Sequence, residues 1–486
     1  MYEWLVSLTV LLVTILVIRW FWSLRSLPPG PFPWPIVGNI RMFKKDPRGY
    51  RMFAALADKY GPVYRLYCGS QLIVMLNGYD AIHEAFTRQA EVFTDRPQLF
   101  APLIGVTKGT GITYNSGDAW KALRRFTLQA LRDFGVGKLT LEARIGEEIT
   151  VLASILKDAN GRPVRLKPVF LSAAANIICS IMFGARFEYC DTRFIELTEV
   201  LDGIFKLNAP FAKENFFPFT RTWKSGRELI RKRTAAIERV KSYLSETIED
   251  HKATFDSTNI RDFIDLYLKA AQEDTDSALF TEANVYKIIV DLFLAGGETT
   301  GTSLDWAILY MVTHPDVQKK CFQEITEVVG SHRPVVISDR PQLTYIQATL
   351  LEVLRISNTL AFSLPHMARR GTILNGYSIP EGTIVIANLF TAHMDPKYWA
   401  EPSNFDPSRF ISANGEVIRK ELTVPFGVGP RLCIGEPLAR MELFLIFANL
   451  IQKFRFEPVE GGRYCLDGVQ ALTLTAQPYD VIATSR

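Results

Sequence analysis

A mainly α-helical chain with a small β-rich region, one catalytic domain behind an N-terminal transmembrane helix, is the architecture the sequence predicts. Three observations carry that expectation. Val285 to Met311 keeps a helical pattern for about 27 residues, longer than most helices of globular proteins. Two neighbouring runs, Val63 to Tyr67 and Leu72 to Leu76, alternate as paired strands do. Trp4 to Leu24 is almost wholly apolar, and about twenty such residues suffice to cross a bilayer.

In that first stretch only Arg19 and the small polar Ser7, Thr9, Thr14 and Ser23 interrupt the apolar run. A cleaved signal peptide is the rival reading. Glu3 in place of a basic start, and no small-residue cleavage pattern, favour an uncleaved anchor. Arg19 and Arg25 follow the span and Glu3 precedes it, so the positive-inside rule puts the body of the protein in the cytosol. Leu27 to Pro35 then reads as a stiff, extended hinge, because proline fixes φ and restrains its predecessor. No Gly/Ser linker or charge block divides the chain after residue 40. The expected division is residues 1–25 anchor, 26–38 proline-rich hinge and 39–486 catalytic domain.

Arg48 to Lys59 reads as an amphipathic helix ahead of the strand pair. Phe93 opens a long irregular segment reaching about Gly117, and loops that long are usually functional. A helix beginning near Asp118 puts Trp120 and Arg124 on one face. Leu139 to Glu273 reads as several helices with turns. Within it, Ile204 to Thr220 holds five phenylalanines and two prolines, which suggests a loop that dips into a bilayer and guards an apolar entrance. Buried core is the default reading of such aromatics.

The long helix is centred on Ala295-Gly296-Gly297-Glu298-Thr299-Thr300. Two adjacent glycines inside a helix cost roughly 1 kcal/mol each relative to alanine, so something must offset them. Thr299 is placed to bond a carbonyl one turn back and bend the helix. Asp291 either faces a cavity or pairs internally. Further on, Glu352 and Arg355 lie three apart, a spacing that is usually a surface salt bridge; the flanking apolar Leu350, Leu351, Val353 and Leu354 suggest a buried pair instead. Strands are expected around 376–379 and 383–386, and a hairpin at Val469 to Leu474.

Net charge of +4 argues against nucleic acid as the main partner. The six cysteines are widely spaced, with no zinc or disulfide pattern, and the six histidines are scattered. An iron centre would therefore need a sulfur ligand. Cys433 sits in Phe426-Gly427-Val428-Gly429-Pro430-Arg431-Leu432-Cys433-Ile434-Gly435, a tight loop running into a helix from Glu436 to Leu450. A helix start and Arg431 are expected to lower its thiol pKa.

The spacing Phe-x-x-Gly-x-Arg-x-Cys-x-Gly resembles the haem-binding loop of the cytochrome P-450 family. Trp120-x-x-x-Arg124, Ala295 to Thr300, Glu352-x-x-Arg355 and Phe405-Asp406-Pro407-Ser408-Arg409-Phe410 follow in that family's order, so the resemblance covers essentially the whole chain. It is similar to animal microsomal members that oxidise drugs, steroids and fatty acids. The resemblance implies the cytochrome P-450 fold and haem b as cofactor. Cys433 would be the axial metal ligand, with Phe426 near its sulfur and Gly435 allowing close approach to the ring. Arg431, Trp120, Arg124, Arg96 and His366 would hold propionates, a solvent-facing role being the alternative for His366. Ala295 and Gly296 would leave room for dioxygen, while Glu298 and Thr299 organise proton delivery. Glu352, Arg355 and Arg409 would form a structural triad, Ser408 replacing the acidic residue common beside it. Ala361, Phe362 and Leu364 would project over the ring, and the hairpin tip would touch substrate.

The implied activity is insertion of one oxygen atom into an apolar organic substrate such as a steroid, fatty acid or xenobiotic. With no flavin or ferredoxin segment, electrons would come from an NADPH-dependent cytochrome P-450 reductase, with cytochrome b5 as a second donor. Lys121, Arg125, Arg132 and Arg440 would form the docking face. The implied location is the endoplasmic reticulum membrane. Two alternatives remain open on the sequence: a haem-thiolate isomerase that rearranges peroxides, and a non-catalytic haem sensor or apolar-ligand carrier.

Overall fold

The computed structural model describes residues 24–42, 49–98, 109–134, 139–207, 213–273 and 279–486, with a few positions among the first fifteen. The anchor expected at Trp4 to Leu24 lies mostly outside the described residues. No helix among those described is long and apolar enough to cross a membrane.

Helix α1 (Gly49–Tyr60) packs Tyr50, Phe53 and Leu56 onto a hairpin of β1 (Val63–Cys68) and β2 (Gln71–Asn77). The register Val63↔Leu76 to Cys68↔Gln71 leaves a two-residue turn, where Gly69 supplies a positive φ of 60°. The proline-rich stretch lies along this sheet. The Arg65 N–H donates to Pro29 O at 2.8 Å, the Arg65 guanidinium to Pro28 O, and Tyr67 N–H to Asn39 Oδ1 at 2.8 Å.

The helical body comprises α2 (Gly78–His83), α3 (Gly117–Asp133), α4 (Leu139–Ala159), α5 (Lys167–Met182), α6 (Thr192–Leu207), α7 (Lys213–Phe216), α8 (Lys224–Ala253), α9 (Phe263–Glu273), α10 (Glu282–Thr313), α11 (Pro315–Val328) and α12 (Thr344–Ser357). The Ile204 to Thr220 stretch is not wholly a loop. Its first residues end α6, four form α7, and Pro218–Thr222 is a 3-10 turn, while 208–212 lie outside the described residues. Pro218 ends the short helix because it cannot continue one.

Strands β3 (His366–Met367), β4 (Thr372–Leu374), β5 (Tyr377–Ile379) and β6 (Ile384–Asn388) follow, then α13 (Leu389–His393). The main sheet runs β1-β2-β6-β3, with β6 parallel to β2. Helix α14 (Glu436–Lys453) leads to β7 (Phe454–Pro458), the hairpin β8 (Val469–Gln470) and β9 (Leu474–Thr475), and β10 (Val481–Ser485), which pairs with β7.

At 32 residues, α10 is the axis of the body and is buried almost throughout. Gly296, the first of its two adjacent glycines, and Gly301 one turn on both lie tightly against α5. A Cβ on Gly296 would fall 2.6 Å from Ile178, and one on Gly301 would fall 3.0 Å from the Leu171 backbone nitrogen. Gly297 meets Ala175 at ordinary distance. Gly296 therefore serves the packing against α5, whereas its expected role was to leave room for dioxygen. Close approach of two backbones is what glycine permits.

Candidate active site

Loop 424–435 is shaped by glycine. Gly427 and Gly429 have φ of 76° and 75°, and a Cβ on Gly429 would sit 1.8 Å from Phe86 O. The Cys433 N–H donates to Phe426 O at 2.9 Å and closes the loop, and α14 begins three residues later. The side chain of Cys433 is exposed although protein encloses it on most sides, as for a group on the wall of an interior cavity. Burial pushes its thiol pKa up; the N–H groups of Gly435 and Glu436 and the guanidinium of Arg124 pull it down. The expected lowering is thus reversed by desolvation, and the assisting cation is Arg124, where Arg431 was expected. Gly435 leaves a space beside the sulfur: a Cβ there would lie 3.9 Å from Sγ and meet nothing nearer.

Three guanidinium groups converge near this loop. Arg431 donates to Thr94 O at 2.8 Å, Ile112 O at 3.3 Å and Asn115 O at 2.6 Å, and its guanidinium lies 3.6 Å from the Trp120 ring centroid. Arg96 is buried and donates to Leu364 O and Pro365 O, leaving its Nε without a partner among the described residues. Arg124, on α3 one turn after Trp120, donates to Leu432 O. Among the described residues none of the three is paired with a carboxylate. Burial and mutual repulsion lower Arg431 to about 8, and mainly burial lowers Arg96 to about 10. One buried and two half-buried cations whose hydrogen bonds go to carbonyls suit a group bearing more than one negative charge. A haem with two propionates, set beside an open sulfur and a glycine cradle, fits these residues.

His366 is buried, so a solvent-facing role is excluded. Its Nδ1 donates to Phe93 O at 2.6 Å and its ring stacks on Phe86 at 3.9 Å. Burial first, then Arg96 and Arg431, hold it well below its ordinary range, so the imidazole is neutral. Ala361 and Phe362 face the α1 side: Ala361 is fully buried and Phe362 stacks edge-on with Phe53 at 5.1 Å.

On α10, Ala295 is exposed inside an otherwise buried helix, and half-buried Thr299 donates to Ala295 O at 2.6 Å. Neighbouring Glu298 is buried, its Oε1 accepting from Thr302 at 3.1 Å, Lys167 at 3.4 Å and Thr473 at 3.4 Å. Thr473 belongs to the hairpin tip, so that tip docks on Glu298. Asp291 pairs internally: its Oδ1 takes the ammonium of Lys287, and its Oδ2 accepts the N–H groups of Ile112 and Thr113, each at 3.0 Å.

Glu352 and Arg355 are fully buried and share two hydrogen bonds of 2.7 Å. Arg409 completes the triad at 3.1 Å from Glu352 Oε1, and Ser408 bonds Asp406 locally without disturbing it. Sequence reasoning missed what carries this triad to the cysteine loop. Arg355 Nη1 donates to His393 O at 2.7 Å, and His393 Nε2 accepts the Val424 N–H at 2.9 Å. A lone histidine 38 residues downstream gave no spacing signal. Lys167 and Glu442 were missed for the same reason, whereas Lys287 stands four residues before Asp291, an ion-pair spacing that could have found it.

The family model for Cytochrome P450 matches residues 28–483. Cytochrome P450 2U1 of Bos taurus is 36% identical, covering 99% of this chain and 93% of its own. Cytochrome P450 2B4 of Oryctolagus cuniculus is 38% identical over 88% and 87%. Cytochrome P450 2H2 of Gallus gallus is 37% identical over 93% and 92%. Sequence order, triad, cysteine loop and whole-chain similarity agree: this chain belongs to the cytochrome P450 family, monooxygenases whose cofactor is haem b.

Proposed function

We propose that the protein oxidises apolar organic substrates such as steroids, fatty acids or xenobiotics at the endoplasmic reticulum membrane, with electrons from an NADPH-dependent cytochrome P-450 reductase and cytochrome b5 as a second donor. The observation that carries this reading is the exposed Cys433 sulfur beside three guanidinium groups that lack a carboxylate partner among the described residues. Cys433 supplies the thiolate ligand; coordination to a metal removes the proton that burial otherwise retains. Arg431, Arg124, Arg96, Trp120 and neutral His366 hold the propionates, Phe426 closes the loop over Cys433, and Gly435 gives room for the ring. The bound haem activates dioxygen, one atom entering the substrate and the other leaving as water.

The remaining work belongs to side chains of α10. Ala295 keeps the wall low where dioxygen must fit. Thr299, its proton committed to Ala295 O, accepts a hydrogen bond from water with its lone pairs and so orders that water. Glu298 exchanges protons with water in the same stretch.

Residues 1–25 act as the anchor and hold the domain on the cytosolic side. An apolar surface supports that placement. Trp34 (59% exposed), Ile36 (86%), Phe219 (58%) and Trp223 (51%) stand out in water. Gly69 marks where the two segments meet: a Cβ there would lie 3.1 Å from Phe217 and 3.8 Å from Ile36 O. Exposed apolar residues grouped in this way mark membrane or protein contacts. On the cysteine side, exposed Lys121, Arg125 and Arg132, with half-buried Arg440, form a basic face for the reductase.

The test is the reduced, carbon monoxide-bound spectrum of wild type and Cys433→Ser, followed by NADPH consumption with added reductase over a steroid and lipid panel. A Soret band at the position of thiolate-ligated haem, lost in Cys433→Ser, and substrate-stimulated NADPH use support the reading. An unaltered spectrum in Cys433→Ser would falsify it.

A further inference from the structure

His393 ends α13 and is fully buried, yet its carbonyl and both of its ring nitrogens bond to other segments. The carbonyl accepts from Arg355 Nη1 of the triad at 2.7 Å. Nδ1 lies 2.7 Å from Asn358 Oδ1, and Nε2 lies 2.9 Å from the Val424 backbone nitrogen. These partners decide where the ring carries its proton. A backbone N–H can only donate, so Nε2 must be bare. Asn358 spends its Nδ2 on Ile356 O at 3.2 Å, which leaves Oδ1 to face the ring, so Nδ1 carries the proton. Burial, then the charge of Arg355, lower the imidazole to about 3 and keep a second proton off. One neutral tautomer results, set by the bonds on either side of the ring.

Both neighbours are themselves anchored. Asn358 closes α12 in the left-handed conformation, at φ 47°. Val424 is buried and opens the cysteine loop; the Gly427 N–H donates to its carbonyl at 3.0 Å, and the Cys433 N–H donates to Phe426 O at 2.9 Å. A short series of hydrogen bonds therefore leads from the imidazole to the backbone that carries the sulfur. A histidine present only to fill the core needs neither nitrogen aligned, and this one has both aligned. We propose that His393 is a positioning residue for the axial sulfur: its Nε2 lone pair, aimed by Asn358, pins Val424 and so fixes the course along which loop 424–435 presents Cys433 to the haem. The ion triad then acts on haem ligation through the orientation of one ring. The inference rests on the reading of Cys433 as the haem ligand.

The test follows full-length, haem-loaded wild type, His393→Gln, His393→Asn and Asn358→Gly. Glutamine brings an amide oxygen to the place of Nε2, asparagine reaches only as far as Nδ1, and glycine at 358 accepts the φ of 47° while deleting the side-chain acceptor. Two quantities are measured: the rate at which the reduced carbon monoxide complex loses its thiolate-type Soret band, and hydrogen exchange of the amides from Val424 to Gly427 in the resting enzyme. His393→Asn and Asn358→Gly should each speed both roughly tenfold, the worth of one buried hydrogen bond. His393→Gln should stay within about twofold of wild type. If His393→Asn loads no haem, Asn358→Gly against His393→Gln makes the same comparison. A role in packing alone gives another order: Asn358→Gly, which leaves the ring in place, would match wild type, and both His393 variants would fail together. That pattern, or one rate for all four proteins, overturns the inference and leaves Cys433 as the ligand. If wild type itself shows no thiolate-type band, the ligand reading falls and this inference with it.

Discussion

Asp291 Oδ2 accepts the backbone N–H of Ile112 at 3.0 Å, and the carbonyl of the same Ile112 accepts from Arg431 at 3.3 Å. One residue's backbone thus joins α10 to the guanidinium cluster beside the cysteine loop. Gly111 makes the approach feasible, since a Cβ there would lie 2.6 Å from Asp291 Oδ2.

Asp291→Ala should therefore loosen haem retention as well as the fold. It strands the buried ammonium of Lys287, and breaking one side of a buried pair costs about 3–5 kcal/mol. Haem transfer to apomyoglobin should accelerate, and Lys287→Met/Asp291→Leu should recover much of the stability but not the retention. An unchanged transfer rate in Asp291→Ala rules out the coupling.

Within the triad, the partners are unequal. Arg355→Leu should yield no haem-loaded protein, because it takes from buried Glu352 its two shortest ion-pair bonds and cuts the bond to His393. Arg409→Lys loses carbonyl bonds to Ala400 and Asn404 and should cost about 1–3 kcal/mol in chemical denaturation. Equal losses would show that the link through His393 is not what matters.

Stability should also respond to pH through Glu442, on α14, which bonds Thr300 of α10. Burial pushes its carboxyl up to about 8, against an ordinary value of 4.5. Between those values the folded state keeps a proton that the unfolded chain has lost. The contribution is fully present below 4.5 and declines as pH rises to 8, by about 1.4 kcal/mol per unit. Glu442→Gln should lack that slope, so its stability relative to wild type should improve from about pH 5 to 8; a constant difference would count against a protonated Glu442.

Thr299→Ala removes the hydroxyl and should lower product per NADPH roughly a hundredfold, at the low end for proton-transfer groups, with hydrogen peroxide rising in step. Full coupling would leave Thr299 only its bond to Ala295 O.

Lys121→Glu with Arg125→Glu reverses charge on the exposed side of α3 and should raise the reductase KM severalfold at low salt, less at high salt. Identical kinetics at both salt concentrations would remove this surface from the docking face.

Motif-bearing elements were legible because their chemistry is local. Trp120 and Arg124 share a helical face, Glu352 and Arg355 share another, and the glycines around Cys433 announce a tight loop. Elements kept their identity for the same reason: α10 and the β1–β2 hairpin carry their periodicity within one segment. What escaped was anything made by distant segments meeting. Gly296 suggests an opening until Ile178 is seen against it, Asp291 stays ambiguous without Ile112, and the Cys433 thiol seems acidic until its desolvation is counted. Lys167 and His393 have no local signature at all, since their partners lie 131 and 31 residues away.

The glycine seam between α5 and α10 also restricts how this enzyme can diversify. Where Gly301 lies against the Leu171 backbone, α10 has no side chain to trim and α5 offers main chain, so that wall is inelastic. A larger residue there would have to move main chain, so the seam also fixes the spacing at which Lys167 of α5 meets Glu298 of α10.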